Sequence, residues 1–200
     1  MSGAREIILD ALRAASGDEA ARPNYEFPAP QGALIALFTA KAKAADADVA
    51  SVARREEVPA AIAAFLAALR MPPRLHVPQN SLLRSLAWQN APGLTLSADP
   101  PGPEDAALSE ASCAIAETGT LVFASGAQQP AAWHFLPGRE FALIPRARIL
   151  ARLEDVFALS NGALASTLNL VTGPSRTGDI EQTIERGAHG PRALHVLIYG

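Results

Sequence analysis

The chain changes character at Arg74, after which short apolar segments alternate with turn residues to the end of the sequence. The apolar segments predict strands at 75–77, 94–96, 113–116, 121–124, 141–144, 167–172 and 194–199. Between some of them lie segments that predict short helices, at 81–88, 104–110 and 180–186. A repeated strand–helix order favours an α/β fold, in which parallel strands form a sheet covered by helices.

The part of the chain before Arg74 is mainly helical in pattern. Apolar residues recur at helical spacing in three segments, 4–15, 34–45 and 56–70. A Pro-rich connector at 22–30 separates the first two helices, and residues 48–53 predict a short strand. We therefore divide the chain into an N-terminal helical extension, 1–45, and an α/β domain, 46–200.

Composition disfavours several classes of function. The single cysteine, Cys113, can form neither a disulfide within the chain nor a cysteine-ligated zinc or iron–sulfur site. The four histidines lack metal-ligand spacing, so we predict no metal site. A net charge of −3 without a basic block disfavours nonspecific nucleic-acid binding. With no uninterrupted apolar run of about 18 residues, we expect no membrane span and a cytoplasmic protein.

The segment 167–199 concentrates polar residues in two turns between apolar flanks. A helix that begins near Thr177 would present unpaired backbone amides and a partial positive charge at its first turn. Such an end binds anions such as phosphate or carboxylate. The predicted ligand-binding residues of this segment are Gly173, Ser175, Arg176, Thr177, Asp179 and Glu181. A purely structural interpretation stays open, because Asp179 with Gln182 three residues later can cap the same helix.

A second candidate site surrounds Glu117, which stands between two apolar strand segments. A charge there is costly unless it is paired or lies at an edge. Glu117 could pair with Arg176, or face a cleft and act as a base or nucleophile. A solvated β-turn is the structural alternative. The rest of the motif joins the predicted ligand-binding set: Thr118, Gly119 and Thr120.

His189 lies in a loop between two glycines, Gly187 and Gly190. An imidazole in such a loop is more accessible for proton transfer than one in a core. We therefore take His189, together with Glu117, as the candidate catalytic residues.

Three motifs together, at 116–122, 173–181 and 187–191, resemble the lactate utilisation protein C family, which carries the LUD domain. The order and separation of the motifs match, as does the closing strand. The resemblance covers about residues 45–200, and the N-terminal helices match only in character.

This resemblance implies an α/β fold of the NagB/RpiA/CoA-transferase-like type, a three-layer arrangement with helices on both faces of the sheet. It also implies a subunit of a three-protein system that oxidises L-lactate to pyruvate. Two partner proteins would carry the iron–sulfur clusters, which agrees with the single cysteine of this chain. The chain itself would bind no cofactor, and its ligand would be a small carboxylate or another anion.

One segment departs from the family pattern. The family often has Leu-Pro-x-x-His after its Glu-Thr-Gly-Thr motif, whereas here Glu140 stands at the position of the His. His134, six residues earlier, is a candidate to supply the imidazole instead. The departure weakens lactate as the predicted substrate.

Two other functions stay open. The chain could be a free-standing enzyme that acts on a phosphorylated or CoA-linked small molecule, or a binding module without catalysis. In either case ligands of open α/β sheets bind at the carboxyl ends of strands. We expect one cleft to be lined by the following residues: Glu117, Thr118, Arg176, Asp179 and His189.

Overall fold

The computed structural model describes residues 3–15, 30, 32–159, 165–178, 184–187 and 189–200. The α-helices in these ranges are α1 (Gly3–Ala15), α2 (Leu34–Ala44), α3 (Val58–Ala68), α4 (Ser81–Arg84) and α5 (Leu153–Leu159). The strands are β1 (Asp48–Val52), β2 (Arg74–His76), β3 (Thr95–Ser97), β4 (Ala106–Glu110), β5 (Cys113–Ile115), β6 (Thr120–Ala124), β7 (Arg139–Pro145), β8 (Ile149–Leu150), β9 (Leu168–Val171), β10 (Arg176–Gly178), β11 (Ile184–Arg186) and β12 (Ala193–Tyr199). Short 3-10 helices occur at Arg55–Glu57, Trp88–Asn90, Ala131–His134 and Arg146–Arg148.

Six strands form one large sheet in the order β1-β12-β7-β4-β2-β3, and each neighbouring pair is parallel. The central strands β7 and β12 pair over their whole length, from Arg139 opposite Ala193 to Pro145 opposite Tyr199. Their inner residues are buried, as continuous apolar runs require when helices or a second layer cover both faces of a sheet. The predicted α/β fold is confirmed.

Each face of the large sheet has its own hydrophobic core. On one face, α2 and the second sheet pack against alternate residues of β7 and β12; the core includes Phe38, Phe123, Ala142, Ile144 and Val196. On the other face, α3 and α4 cover the intervening residues; this core includes Ile62, Leu66, Leu83, Phe141 and Leu143. The alternation of side chains along β7 therefore divides its residues between two cores.

A second sheet has the order β8-β5-β6-β9. Its strands β5 and β6 are antiparallel and joined by a turn at 116–119. Strand β9 also runs antiparallel to β6, with Val171 opposite Leu121. The end of β9 therefore lies beside the beginning of β6, and the segments that follow β5 and β9 meet at one end of this sheet.

One predicted helix is wrong, and a second does not extend over those of its residues that the structure describes. The segment 104–110 contains β4, which pairs with β7 in the interior of the large sheet. Its residues Ala106–Ser109 are buried, so tertiary contacts outweigh the helix propensity of alanine and leucine. In the segment 180–186, the described residues form β11, which pairs antiparallel with β10. Thr177, where the predicted helix would begin, lies in β10, and the anion-binding role of this segment stays a prediction.

A third predicted helix, 81–88, is shorter than expected. Asn80 caps α4 by accepting hydrogen bonds from the amides of Leu82 and Leu83, and the helix ends at Arg84. The chain then continues through the 3-10 helix Trp88–Asn90.

The N-terminal helices differ in their relation to the sheet. Helix α1 has no buried residue, and its Ile7, Ile8 and Leu12 are exposed. Helix α2 contributes the fully buried Phe38 to the core of the large sheet. The division at residues 45 and 46 stays a prediction. Among the described helices, none is long and apolar enough to cross a lipid bilayer.

Candidate functional site

The carboxyl ends of β2 and β4 mark a point where the chain leaves the large sheet in opposite directions. After β2, the chain forms α4 on one face and continues to the edge strand β3. After β4, Ala111 and Ala114 enter the core of the other face, and the chain returns in β7. Open α/β sheets bind ligands at such switch points, because the diverging connections leave a crevice between them.

A cleft with a volume of about 680 Å³ lies at this point. Its walls come from the residues after β2, β4 and β6 and from the carboxyl ends of β7 and β12. The polar residues in its lining are Asn80, Glu110, Ser112, Gln128, Gln129, Arg148 and Tyr199. We call this cavity the carboxyl-end cleft.

Glu110, the last residue of β4, is held in place in this cleft by two neighbours. The Tyr199 hydroxyl donates a hydrogen bond of 2.9 Å to Glu110 Oε1. Gln129 Nε2 donates to the Glu110 carbonyl over 3.0 Å, and Gln129 Oε1 accepts from the Glu110 amide over 3.4 Å. Burial, followed by the hydrogen bond and charge of Glu110, raises the pKa of Tyr199 to about 12. Tyr199 therefore stays a donor at any physiological pH.

Arg148 provides positive charge in the same cleft. It ends the 3-10 helix Arg146–Arg148 and is exposed. Among the described contacts, its guanidinium has no carboxylate partner, so its donors are available to a ligand. The carboxyl-end cleft thus combines one cation, one carboxylate and a fixed hydroxyl donor. Across the described ranges, no group of three or more His, Cys, Asp or Glu side chains is placed to hold a metal ion.

Sequence reasoning missed this cleft for a specific reason. Interpreted as a helix, the segment 104–110 gives Glu110 no special position. Interpreted as a buried strand, it places Glu110 at the carboxyl end, where functional side chains of α/β sheets lie. The run of small and apolar residues from Ala106 to Ser109, followed by a glutamate, was the available signal. Arg148 and Tyr199 carry no local signal, because only the assembled sheet brings them to Glu110.

The two predicted motif segments do meet, but at the end of the second sheet. We call 116–120 and 172–176 the motif loops. Their threonine hydroxyls form a chain: Thr118 Oγ1 lies 2.7 Å from Thr120 Oγ1, which lies 2.6 Å from Thr172 Oγ1. This contact follows from the register that places the start of β6 beside the end of β9.

Two glycines of the motif loops pack against the end of α2. Gly119 and Gly173 both adopt a φ of +73°. A Cβ atom on Gly119 would overlap the backbone of Lys41 and Ala42, and one on Gly173 would overlap the carbonyl of Ala45. Glycine is required at both positions by the left-handed backbone and by the close approach of the helix. Whether these glycines also contact a ligand stays a prediction.

Of the alternatives left open for Glu117, the structure does not show the ion pair with Arg176. Glu117 Oε1 accepts a hydrogen bond of 3.1 Å from the amide of Leu153, the first residue of α5. Arg176 instead forms an ion pair with Asp46, just beyond the end of α2. Each charge is thus paired with the end of a different helix. The catalytic role of Glu117 stays a prediction.

Ser175 joins the motif loops to the loop that carries His189. Its amide donates to the Pro191 carbonyl over 2.8 Å, and its hydroxyl lies 3.4 Å from the His189 amide, from which it accepts. The His189 side chain is exposed, as its position between glycines predicted.

Three further residues, Thr177, Asp179 and Glu181, belong to the predicted ligand-binding set. Thr177 lies in β10, opposite Glu185. Asp179 and Glu181 lie outside the described residues. The prediction that one cleft is lined by these motif residues therefore stays a prediction, and the described residues among them do not line the carboxyl-end cleft.

The unusual Glu140 and its proposed substitute His134 are in direct contact. His134 Nδ1 lies 2.7 Å from Glu140 Oε1, and the side chains of both residues are fully buried. The Ser109 hydroxyl donates to the same oxygen over 2.5 Å. The imidazole ring also packs on Phe123, with ring centroids 4.0 Å apart.

Comparison with known proteins finds one family whose sequence model matches part of the chain. Residues 104–199 match the model of the LUD domain. This part of the chain is therefore similar to the LUD domain family. The resemblance predicted from the motifs is thereby confirmed, and the match extends from just before β4 to the end of β12.

Relatives agree with this assignment. The lactate utilisation protein C of Geobacillus kaustophilus is 34% identical over 91 residues, which cover 42% of this chain and 38% of the relative. That of Halalkalibacterium halodurans is 33% identical over 101 residues, 47% of this chain and 44% of the relative. The chain thus spans about two fifths of the length of these curated relatives.

A solved structure confirms the fold class. The crystal structure of a DUF162 family protein from Deinococcus radiodurans has a TM-score of 0.62 with this chain. The similarity covers 84% of this chain and 96% of the other, at 22% sequence identity. At this identity the likeness concerns the fold alone.

Proposed function

We propose that this protein takes part in lactate utilisation and that its carboxyl-end cleft binds a small 2-hydroxy or 2-oxo carboxylate. The observation that carries the proposal is that an available cation, Arg148, and an oriented carboxylate, Glu110, line the same cleft at the switch point of the sheet. The names of the relatives support the metabolic context.

Each polar group of the cleft has a role in this proposal. The Arg148 guanidinium binds the ligand carboxylate, for which its planar fork of donors is suited. Glu110 accepts the hydrogen bond of a 2-hydroxyl group through the oxygen that Tyr199 does not occupy. Tyr199 and Gln129 hold Glu110 in one orientation, which reduces the entropy lost on binding.

The chemistry of oxidation would belong to partner proteins. The sequence has one cysteine, Cys113, and it is buried, so we propose that any iron–sulfur clusters reside in two partner subunits. We further propose that the complex is cytoplasmic. Co-purification of the tagged protein from lactate-grown cells tests this part. Recovery of two cysteine-rich iron–sulfur proteins would support it, and recovery of the protein alone from such cells would contradict it.

Binding measurements test the cleft directly. Isothermal titration of the purified protein with L-lactate and with pyruvate is compared among the wild type and two variants, Arg148→Gln and Arg176→Gln. Arg148 lies in the carboxyl-end cleft and Arg176 beside the motif loops, so the two variants make the same chemical change at two sites. We expect Arg148→Gln to weaken binding at least tenfold and Arg176→Gln to leave it within twofold.

If Arg176→Gln weakens binding and Arg148→Gln does not, the ligand binds at the motif loops and not in the carboxyl-end cleft. A third variant, Arg5→Gln on the exposed helix α1, controls for the loss of one positive charge. In a strain that lacks the gene, wild type and Arg176→Gln should restore growth on lactate, and Arg148→Gln should not. Full growth with Arg148→Gln would refute a functional role of this cleft.

A further inference from the structure

Three buried polar side chains connect separate segments of the core beside the carboxyl-end cleft. Ser109 belongs to β4, Glu140 to β7, and His134 to the 3-10 helix Ala131–His134. They are 1%, 0% and 2% exposed. Both Ser109 Oγ and His134 Nδ1 contact the same carboxylate oxygen, Glu140 Oε1. One glutamate therefore links a strand and a loop that are not adjacent in sequence.

This arrangement is a poor way to gain stability. Glu140 Oε2 and His134 Nε2 are buried without a hydrogen-bond partner among the described residues. A buried polar atom without a partner costs free energy, and apolar residues of similar volume often stabilise a core at least as well as a buried charged pair. The network instead fixes the three segments relative to one another, because its hydrogen bonds form only in one arrangement of them.

The segment that ends at His134 begins with residues 126–129, which form a wall of the cleft. We call residues 126–134 the cleft wall; Gly126 and Gln129 line the cavity and are joined by two backbone hydrogen bonds of 3.1 Å. Gln129 attaches this segment to the backbone of Glu110. His134 attaches it, through Glu140, to Ser109. The two attachment points on β4 are thus consecutive residues.

We infer that Glu140 is a positioning residue for the carboxyl-end cleft: through Ser109 and His134 it holds the cleft wall against β4, so that Gln129 stays bonded to Glu110. Without Glu140, the polar contact of the wall with β4 would be that of Gln129 with the Glu110 backbone, which includes a long hydrogen bond of 3.4 Å. Glu110 would then sample more orientations. The effect on ligand binding rests on the proposed function, whereas the effect on the wall does not.

Amide hydrogen exchange of the full chain tests the positioning, since it reports local opening without any ligand. In Glu140→Leu, we expect exchange in residues 126–134 to accelerate at least tenfold relative to the wild type. Glu140→Gln should stay within threefold, because an amide oxygen can accept from both Ser109 and His134. Ile144→Val, a substitution in the same strand and core, controls for a general loss of packing and should leave the cleft wall unchanged.

Ser109→Ala removes one hydrogen bond without introducing a larger group, so it serves if Glu140→Leu does not fold. We expect a threefold or larger acceleration confined to the cleft wall. Wild-type exchange of residues 126–134 in whichever variant folds would overturn the inference. Equal acceleration in Glu140→Gln and Glu140→Leu would also contradict it, because the geometry of the two hydrogen bonds would then not be what matters.

Titration with L-lactate separates this inference from the proposed function. If the wild type binds, Glu140→Leu should bind at least fivefold more weakly and Glu140→Gln should recover wild-type affinity. Unchanged affinity in Glu140→Leu with an opened wall would refute the link between the wall and the ligand. If the wild type does not bind lactate, the proposed function fails while the exchange measurement still decides the role of Glu140.

Discussion

The motif loops and the carboxyl-end cleft are both polar regions at strand ends, but their side chains are engaged differently. In the motif loops, hydroxyls bond to one another, the glycines touch α2, and Arg176 is paired with Asp46. In the cleft, Arg148 has no carboxylate partner among the described contacts, and Glu110 is oriented but only partly buried. The most recognisable sequence motifs therefore hold the second sheet to α2, whereas the cleft contains a cation without a carboxylate partner among the described contacts.

The comparison predicts that substitutions in the motif loops reduce stability, whereas substitutions in the cleft reduce binding. The strongest test is Gly173→Ala. The new Cβ atom would require a left-handed backbone at an alanine and would overlap the Ala45 carbonyl, so we expect a loss of about 3 kcal/mol or more in the free energy of unfolding. Urea denaturation followed by circular dichroism measures it.

Gly93→Ala is the matched control for this prediction. It makes the same chemical change where no atom lies within 4 Å of the added group. We expect its free energy of unfolding to stay within about 0.5 kcal/mol of the wild type. A Gly173→Ala variant as stable as Gly93→Ala would show that the contact with α2 is not a tight one.

Thr120→Val gives a smaller effect in the same region. The substitution keeps the shape of the side chain but removes the hydroxyl that lies between Thr118 and Thr172. We expect a loss of about 1 kcal/mol, because the exposed hydroxyls of those two neighbours can bind water instead. The control is Thr95→Val on the exposed position of β3, where we expect no measurable change. Weakened lactate binding by Thr120→Val would assign the motif loops a role in the site.

These contrasts also explain what the sequence could and could not predict. The central strands β7 and β12 were predicted well, because continuous apolar runs between turn residues have few other interpretations. Strand β4 was mistaken for a helix, since Ala106 to Leu108 favour a helix locally and only pairing with β7 makes them a strand. That error concealed Glu110 and with it the cleft.

For the motif loops, the sequence predicted the family resemblance but not the contacts of the charged side chains. Glu117 and Arg176 are complementary in charge, which made a mutual pair plausible. Each instead meets the end of a different helix, α5 or α2, and no local pattern indicates which helix end approaches which loop. Such contacts are determined by long-range packing, which cannot be inferred from the spacing of residues along the sequence.

Tyr199→Phe tests whether the cleft contributes to stability at all. In the folded protein the pKa of Tyr199 is raised to about 12 by burial and by Glu110, whereas an unfolded tyrosine has its ordinary pKa of 10.0. Because the pKa is higher in the folded state, the protonated Tyr199 hydroxyl contributes its full share to the free energy of unfolding below pH 10. This contribution is lost as the pH rises toward 12. We expect wild-type stability to fall by about 1 kcal/mol across that window beyond the fall seen in Tyr199→Phe. Urea midpoints at pH 8 to 11.5 give the comparison, and parallel pH profiles would contradict it.

The two arginines are expected to give the smallest changes in stability, and they distinguish the two regions most directly. Arg176→Gln breaks a partly exposed ion pair with Asp46, which should cost about 0.5 kcal/mol. Arg148→Gln breaks no described ion pair, so its free energy of unfolding should match the wild type within error. Adding L-lactate should raise the melting temperature of the wild type and Arg176→Gln but not that of Arg148→Gln, because a ligand stabilises only the folded state that binds it. A stability loss in Arg148→Gln without ligand would mean that this arginine is structural, and the difference between the two regions would disappear.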